Sequence, residues 1–176
     1  IGGNHLIHAA RRDISLKVFC LNNWLFGMTG GQVSATTPHA MRTTTTPAGN
    51  PERHFDLVRL VRGAGARYAA RWPVARPRQL QEGILRALEQ PAFVEVLSIC
   101  PTHFGRANRE LWGEFAGGED GEAEDSASLA WLMLRWQEKH CIDRERAGAL
   151  DPGQAAGAII FGEWQEDAPA PKQEAS

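Results

Sequence analysis

Residues 22–50 carry neither a sustained helical period nor an alternating apolar pattern, and are rich in Thr, Gly and Pro. So long a stretch without secondary structure is uncommon in a compact domain and is usually functional. It opens with LNNWLFGMTGGQ, residues 21–32, directly after residues 14–21, an apolar run interrupted by Ser15 and Lys17 and short enough for a buried strand. Ligands of α/β sheets sit at the carboxyl ends of strands, so the segment reads as a cofactor loop. Asn22 and Asn23 offer side-chain oxygens of the kind a hard cation takes, and Gly27, Gly30 and Gly31 let backbone approach a ligand closely. The competing reading is local: asparagines cap helices and build turns, and a glycine pair marks a tight turn.

Helical and strand patterns alternate around this loop. Residues 2–12 place Leu6, Ile7, Ala9 and Ala10 behind a glycine pair, the pattern of a helix whose free N–H groups face an anionic ligand. Asp56 is expected to cap a second helix with Leu57, Val58, Leu60, Val61 and Ala64 on its apolar face, stopped by Gly63 and Gly65. Residues 68–72 read as a strand ended by Pro73, and residues 77–90 as a helix with Leu80, Ile84, Leu85 and Leu88 on one side. Residues 93–99 read as a mostly apolar strand. This order predicts a layered α/β domain with a largely parallel sheet.

Beyond Cys100 the organisation changes. A short helix is expected over residues 108–115, a solvated acidic loop over 117–125, and a helix capped by Ser126 or Ser128 and running to His140. Within it Trp131, Leu132 and Trp136 form a stripe read as core or subunit contact. A further short helix over 143–149, a last strand over 158–161 and a disordered tail over 165–176 complete the expectation.

With 176 residues and 43% hydrophobic content, one domain with a real core is the default. A formal charge of -2 gives no electrostatic footprint for nucleic acid. No apolar run approaches the ~20 residues that span a bilayer, and no signal-peptide pattern opens the chain. A cytoplasmic protein without nucleic-acid or membrane partners is expected. Cys20, Cys100 and Cys141 are odd in number and scattered, which argues against a disulfide framework and for a reducing compartment. The chain begins Ile1-Gly2-Gly3 without an initiator methionine, so it is expected to be a piece of a longer protein, truncated at its N-terminus.

Residues 2–38, GGNHLIHAARRDISLKVFCLNNWLFGMTGGQVSATTP, resemble the thiamine-diphosphate-binding half of the β subunit of 2-oxoacid:ferredoxin oxidoreductases, most closely the 2-oxoglutarate type. The likeness continues through TTTTPAGN at residues 43–50, the segment FDLVRLVRGAGARYAARW and EVLSICPTHFGR at residues 95–106, and fades after Asn108. Several motifs in one order carry it. The resemblance implies a three-layer thiamine-diphosphate-binding fold, with residues 1–164 forming a partial domain and its helical and strand extension.

It also implies a site. Asn23 would supply a side-chain ligand and Leu25 a backbone carbonyl to the Mg2+ that holds the diphosphate, with the Asp of a Gly-Asp-Gly motif expected before Ile1. Gly27, Met28, Thr29 and Gly30 would close over the diphosphate. Cys100 would be one of four thiolates on a [4Fe–4S] cluster, the others lying upstream; soft thiolates suit such centres. Cys20 and Cys141 match no ligand position. His5 and His8 are read as satisfied polar groups beside the cofactor, and no side chain is assigned as the acid–base catalyst.

The implied reaction is oxidative decarboxylation of 2-oxoglutarate to succinyl-CoA and CO2, with electrons passing to ferredoxin. An α subunit, ferredoxin, coenzyme A and the 2-oxo acid are the implied partners, and the chain alone would be inactive. A pyruvate-type oxidoreductase, a thiamine-dependent decarboxylase and a non-catalytic cofactor-binding module left by truncation remain as alternatives.

Overall fold

The computed structural model describes residues 2–112, 126–144 and 159–165. A five-stranded sheet in the order β1-β5-β4-β7-β6 forms the centre. Its first three neighbours, β1 (Lys17–Asn22), β5 (Ala92–Leu97) and β4 (Tyr68–Pro73), run parallel. β7 (Ile159–Gln165) joins β4 antiparallel and pairs in parallel with β6 (Cys141–Asp143). The largely parallel α/β sheet is as expected, with two strands, β7 and β6, reversed relative to the other three; local sequence does not announce this, since pairing direction is set by distant chain.

Strand alternation sorts the side chains into two faces. Tyr68, Ala70 and Trp72 of β4 meet Val94 and Val96 of β5 under α3 (Pro77–Leu88), where Ala87 is fully buried. Ala69 and Phe93 point the other way, onto Val58 and Val61 of α2 (Leu57–Gly63), with Leu6 of α1 (Gly3–Arg11) and Val18 and Cys20 of β1 packed around them. Helices thus cover both faces, and β5 is buried at every position. Each large apolar side chain so enclosed contributes about 1.5–3 kcal/mol.

Boundaries moved where tertiary context outweighed pattern. β1 begins at Lys17, after Asp13, in the left-handed region, has turned the chain and left Ile14 and Leu16 about half exposed. Asp56 does cap α2, its carboxylate accepting from Arg59 N at 3.1 Å, and α3 starts with Pro77. The long loop is not without structure: β2 (Leu25–Phe26) and β3 (Gln32–Val33) form a small antiparallel hairpin.

After β5 the chain makes one π-helical turn, Pro101–Gly105, closed by Gly105 N donating to Cys100 O at 2.9 Å, and then a single 3-10 turn, Arg109–Leu111, where a longer helix was expected. α4 (Ser126–His140) packs on the π turn and buries Leu129, Leu132 and Met133. Trp24, Phe104, Trp112 and Trp136 interlock there, with centroid separations of 5.2 to 6.3 Å. Of the expected stripe, Leu132 and Trp136 enter this core while Trp131 is 56% exposed. The start of the short helix expected over residues 143–149 is instead the end of β6. The acidic run at 117–125, the rest of that helix and the tail beyond Gln165 lie outside the described residues. No described helix is long and apolar enough to cross a membrane.

Candidate cofactor-binding site

The carboxyl end of β1 opens onto a cavity of about 610 Å³. Asn23, Leu25, Gly27, Met28 and Thr29 line it, and so do Gly2 and Gly3 at the N-terminus of α1. The helix start and the loop that sequence reasoning assigned to one ligand therefore share one wall. A helix N-terminus offers unpaired N–H groups and partial positive charge, which suits an anion. His5 and His8 are exposed and stand off this wall, and Gly30 turns the loop (φ 114°) without lining it.

The two asparagines part ways. Asn22 continues the inward face of β1, is 6% exposed, and donates from Nδ2 to Glu95 Oε1 at 2.6 Å. Its Oδ1 accepts from Trp24 N at 3.0 Å and Thr36 Oγ1 at 2.8 Å. Asn22 is thus the turn-former of the pair. Asn23 faces the cavity wall, and its Oδ1 accepts one bond, from Ser98 Oγ at 2.9 Å. A second lone pair remains for a hard cation, and the donor chemistry fits.

Between the expected ligands Asn23 and Leu25 stands Trp24 in the left-handed region (φ 61°). For a bulky side chain this costs about 1–2 kcal/mol, and it persists only where the surroundings over-determine it. They do: Asn22 Oδ1 holds its N–H, Thr37 Oγ1 donates to its carbonyl, and its ring packs edge-on against Phe104.

The GMTGGQ loop closes on the π turn. Gly31 has φ 85°, and a Cβ there would stand 2.9 Å from His103 Cβ, so only glycine satisfies both the backbone angle and the approach. Thr29 and Gln32 bond reciprocally across the loop, at 2.7 Å each way, and the Met28 side chain is fully exposed. Cys100 caps the π turn, its Sγ accepting from His103 N at 3.5 Å, a kind of contact that tunes cluster sulfurs. Cys100 is half-buried and fits a role as one thiolate ligand. Among the described residues no three His, Cys, Asp or Glu side chains gather around a metal-sized site, so this chain's described part offers no complete cluster shell.

Sequence reasoning missed the residues behind the loop. Glu95, 2% exposed, also accepts from Arg71 Nε at 2.8 Å, and Arg71 Nη2 reaches Asp56 Oδ1 at 2.6 Å. Burial opposes the Arg71 charge, but Glu95 and Asp56 outweigh it and raise its pKa. The signal was available: single charges in the apolar strands 68–72 and 93–99 must be paired if buried. Burial, and then Glu95, push the Cys20 thiol up, and burial pushes Cys141 up to about 12.

Comparison with known proteins bears on the family. Residues 1–96 match the family model for the thiamine pyrophosphate enzyme, C-terminal TPP binding domain. The chain is 43% identical over 174 residues to the 2-oxoglutarate synthase subunit KorB of Methanothermobacter marburgensis, covering 98% of this chain and 55% of that protein. It is 51% identical over 166 residues to the KorB subunit of Methanocaldococcus jannaschii, covering 93% and 55%. The 2-oxoglutarate:ferredoxin oxidoreductase of Magnetococcus marinus, solved with 2-oxoglutarate, coenzyme A and succinyl-CoA bound, superimposes with a TM-score of 0.64 at 26% identity over 96% of this chain and 53% of that one. The chain thus spans about half the length of the relatives it matches. By the family match over more than half its residues, this chain belongs to the thiamine pyrophosphate enzymes and carries their C-terminal TPP-binding domain.

Proposed function

We propose that this chain forms part of the β subunit of a cytoplasmic 2-oxoglutarate:ferredoxin oxidoreductase, which converts 2-oxoglutarate and coenzyme A to succinyl-CoA and CO2 and passes the electrons to ferredoxin. The observation that carries the reading is the shared cavity wall: Asn23, Leu25 and the Gly27–Thr29 backbone face one space with the N-terminus of α1. Thiamine diphosphate, when bound, supplies the electron sink for decarboxylation, and the protein's part is to bind and orient it.

In this reading the Asn23 side chain and the Leu25 carbonyl would hold Mg2+, a hard cation that takes oxygen ligands and would offset the charge of the diphosphate. Gly27, Met28 and Thr29 would bring the loop backbone against the diphosphate, with Gly30 turning the loop beside them. Ser98 fixes the Asn23 amide so that its oxygen is presented. Cys100 would give one thiolate to a [4Fe–4S] cluster, a group that would supply one-electron transfer. An α subunit completes the substrate pocket, and the rest of the cation and cluster ligands come from residues other than the described ones.

The test is turnover by the complete complex with ferredoxin as acceptor. Reduction of ferredoxin dependent on 2-oxoglutarate and coenzyme A is expected, with pyruvate a poor substrate. Preference for pyruvate moves the assignment to the pyruvate type, and decarboxylation without ferredoxin reduction contradicts the oxidoreductase reading.

A further inference from the structure

Asn22 lines two spaces at once, the 610 Å³ cavity on one side and a second cavity of about 380 Å³ on the other. Its amide oxygen and NH2 group are nearly equal in size, so packing alone does not distinguish them, and hydrogen bonds must choose which way the amide points. The amide has a donor end and an acceptor end, and only one orientation sets the acceptor against Trp24 N–H.

The choice is made on β5. A carboxylate is acceptor-only, so Glu95 Oε1 can face only the Asn22 NH2 group, and Glu95 Oε2 is occupied by Arg71 Nε–H. This leaves Asn22 Oδ1 to receive Trp24 N–H and the Thr36 hydroxyl. The run of donors and acceptors is unbroken from Arg71 through Glu95 and Asn22 to the left-handed turn at Trp24, which separates Asn23 from Leu25.

We propose that Glu95 is a positioning residue for the cation-binding loop: clamped by Arg71, it fixes the polarity of the Asn22 amide and thereby the Trp24 turn that spaces the Asn23 and Leu25 ligands. The proposal rests on the cofactor reading above and deepens it. Glu95 need not touch the cofactor, and acts through Asn22.

The polarity of the amide determines the informative variants. In Glu95→Gln, Arg71 Nε–H draws the new carbonyl, the new NH2 faces Asn22, and the Asn22 amide must reverse and set NH2 against Trp24 N–H. In the double variant Asn22→Asp/Glu95→Gln the carboxylate moves to position 22, and every donor again meets an acceptor at unchanged total charge. Asp56→Asn removes the charge at the outer end of the Arg71 bridge and leaves Arg71, Glu95 and Asn22 in place.

The measurement is titration calorimetry of thiamine diphosphate into the complete complex at graded Mg2+, with a melting curve for each variant. Glu95→Gln is expected to raise the Mg2+ requirement about tenfold or more, as outer-shell partners of metal ligands do. Asn22→Asp/Glu95→Gln is expected to return to within about threefold of the parent, a difference below 1 kcal/mol. Asp56→Asn is expected to lower the melting temperature without changing the Mg2+ requirement. Unchanged Mg2+ dependence in Glu95→Gln, failure of the double variant to recover, or a Mg2+ requirement that merely follows melting temperature in both single variants overturns the proposal. If Glu95→Gln does not assemble, the double variant and Asp56→Asn decide it by the same criteria. Asn23→Ala in the same assay separates the levels: a loss there with none in Glu95→Gln removes the positioning role alone, and no loss in either removes the cation site with it.

Discussion

Gly27 and Cys100 are in van der Waals contact range: a Cβ on Gly27 would lie 3.4 Å from Cys100 Sγ. The loop assigned to the diphosphate and the thiolate assigned to the cluster are therefore neighbours in space, although 73 residues separate them in the chain.

Cys100→Ser is accordingly expected to lower the iron content of the complete complex and to slow ferredoxin reduction. Cys141→Ser is the contrast, since burial holds that thiol up near 12, against the thiolate that metal ligation requires. Iron analysis checks both, and normal iron with normal electron transfer in Cys100→Ser removes its ligand role.

Asp56 governs a part of the acid stability. Burial alone would raise its pKa, but Arg71, the Arg59 N–H and His54 together hold it below the ordinary 3.8. The folded state thus favours the ionised form, so the contribution is present above the ordinary value and is lost as pH falls through the folded one. Asn serves as well as Asp at a helix N-cap, so Asp56→Asn isolates the charge. Denaturation from about pH 5 downward should show a shallower loss of stability in the variant than in the parent.

Much of the domain was legible because its signals are local. The Asp56 cap, Pro77 at the start of α3 and the apolar periods of the helices depend on neighbours in sequence. The β2 and β3 hairpin escaped notice because two-residue strands have no period. The reversed β7 and the three-residue β6 take their identity from partners far along the chain. In the site, Asn22 and Asn23 are identical in sequence terms, and only the facing of β1 gives the Asn22 amide to Glu95 and Trp24 and the Asn23 amide to Ser98. Ser98 lies inside the motif at residues 95–106, yet nothing in that motif marks it as the partner of Asn23.

Gly83→Ala tests the packing of α3 on the sheet. Alanine gains about 1 kcal/mol of helix propensity over glycine. Its Cβ would collide with Trp72 Nε1 and stand 2.9 Å from Trp72 Cδ1, while Phe161 at 5.6 Å bounds the ring on another side. Overpacking costs about 1–3 kcal/mol, so packing prevails and urea denaturation should show a net loss of stability.

The most direct test of the central claim is the affinity of the complete complex for thiamine diphosphate with Mg2+, compared with that of Asn23→Ala by calorimetry. A loss of more than about a hundredfold is expected, beyond that of a typical outer-shell change, together with a weakened dependence on Mg2+. Equal affinity and equal Mg2+ dependence in the two proteins would contradict it.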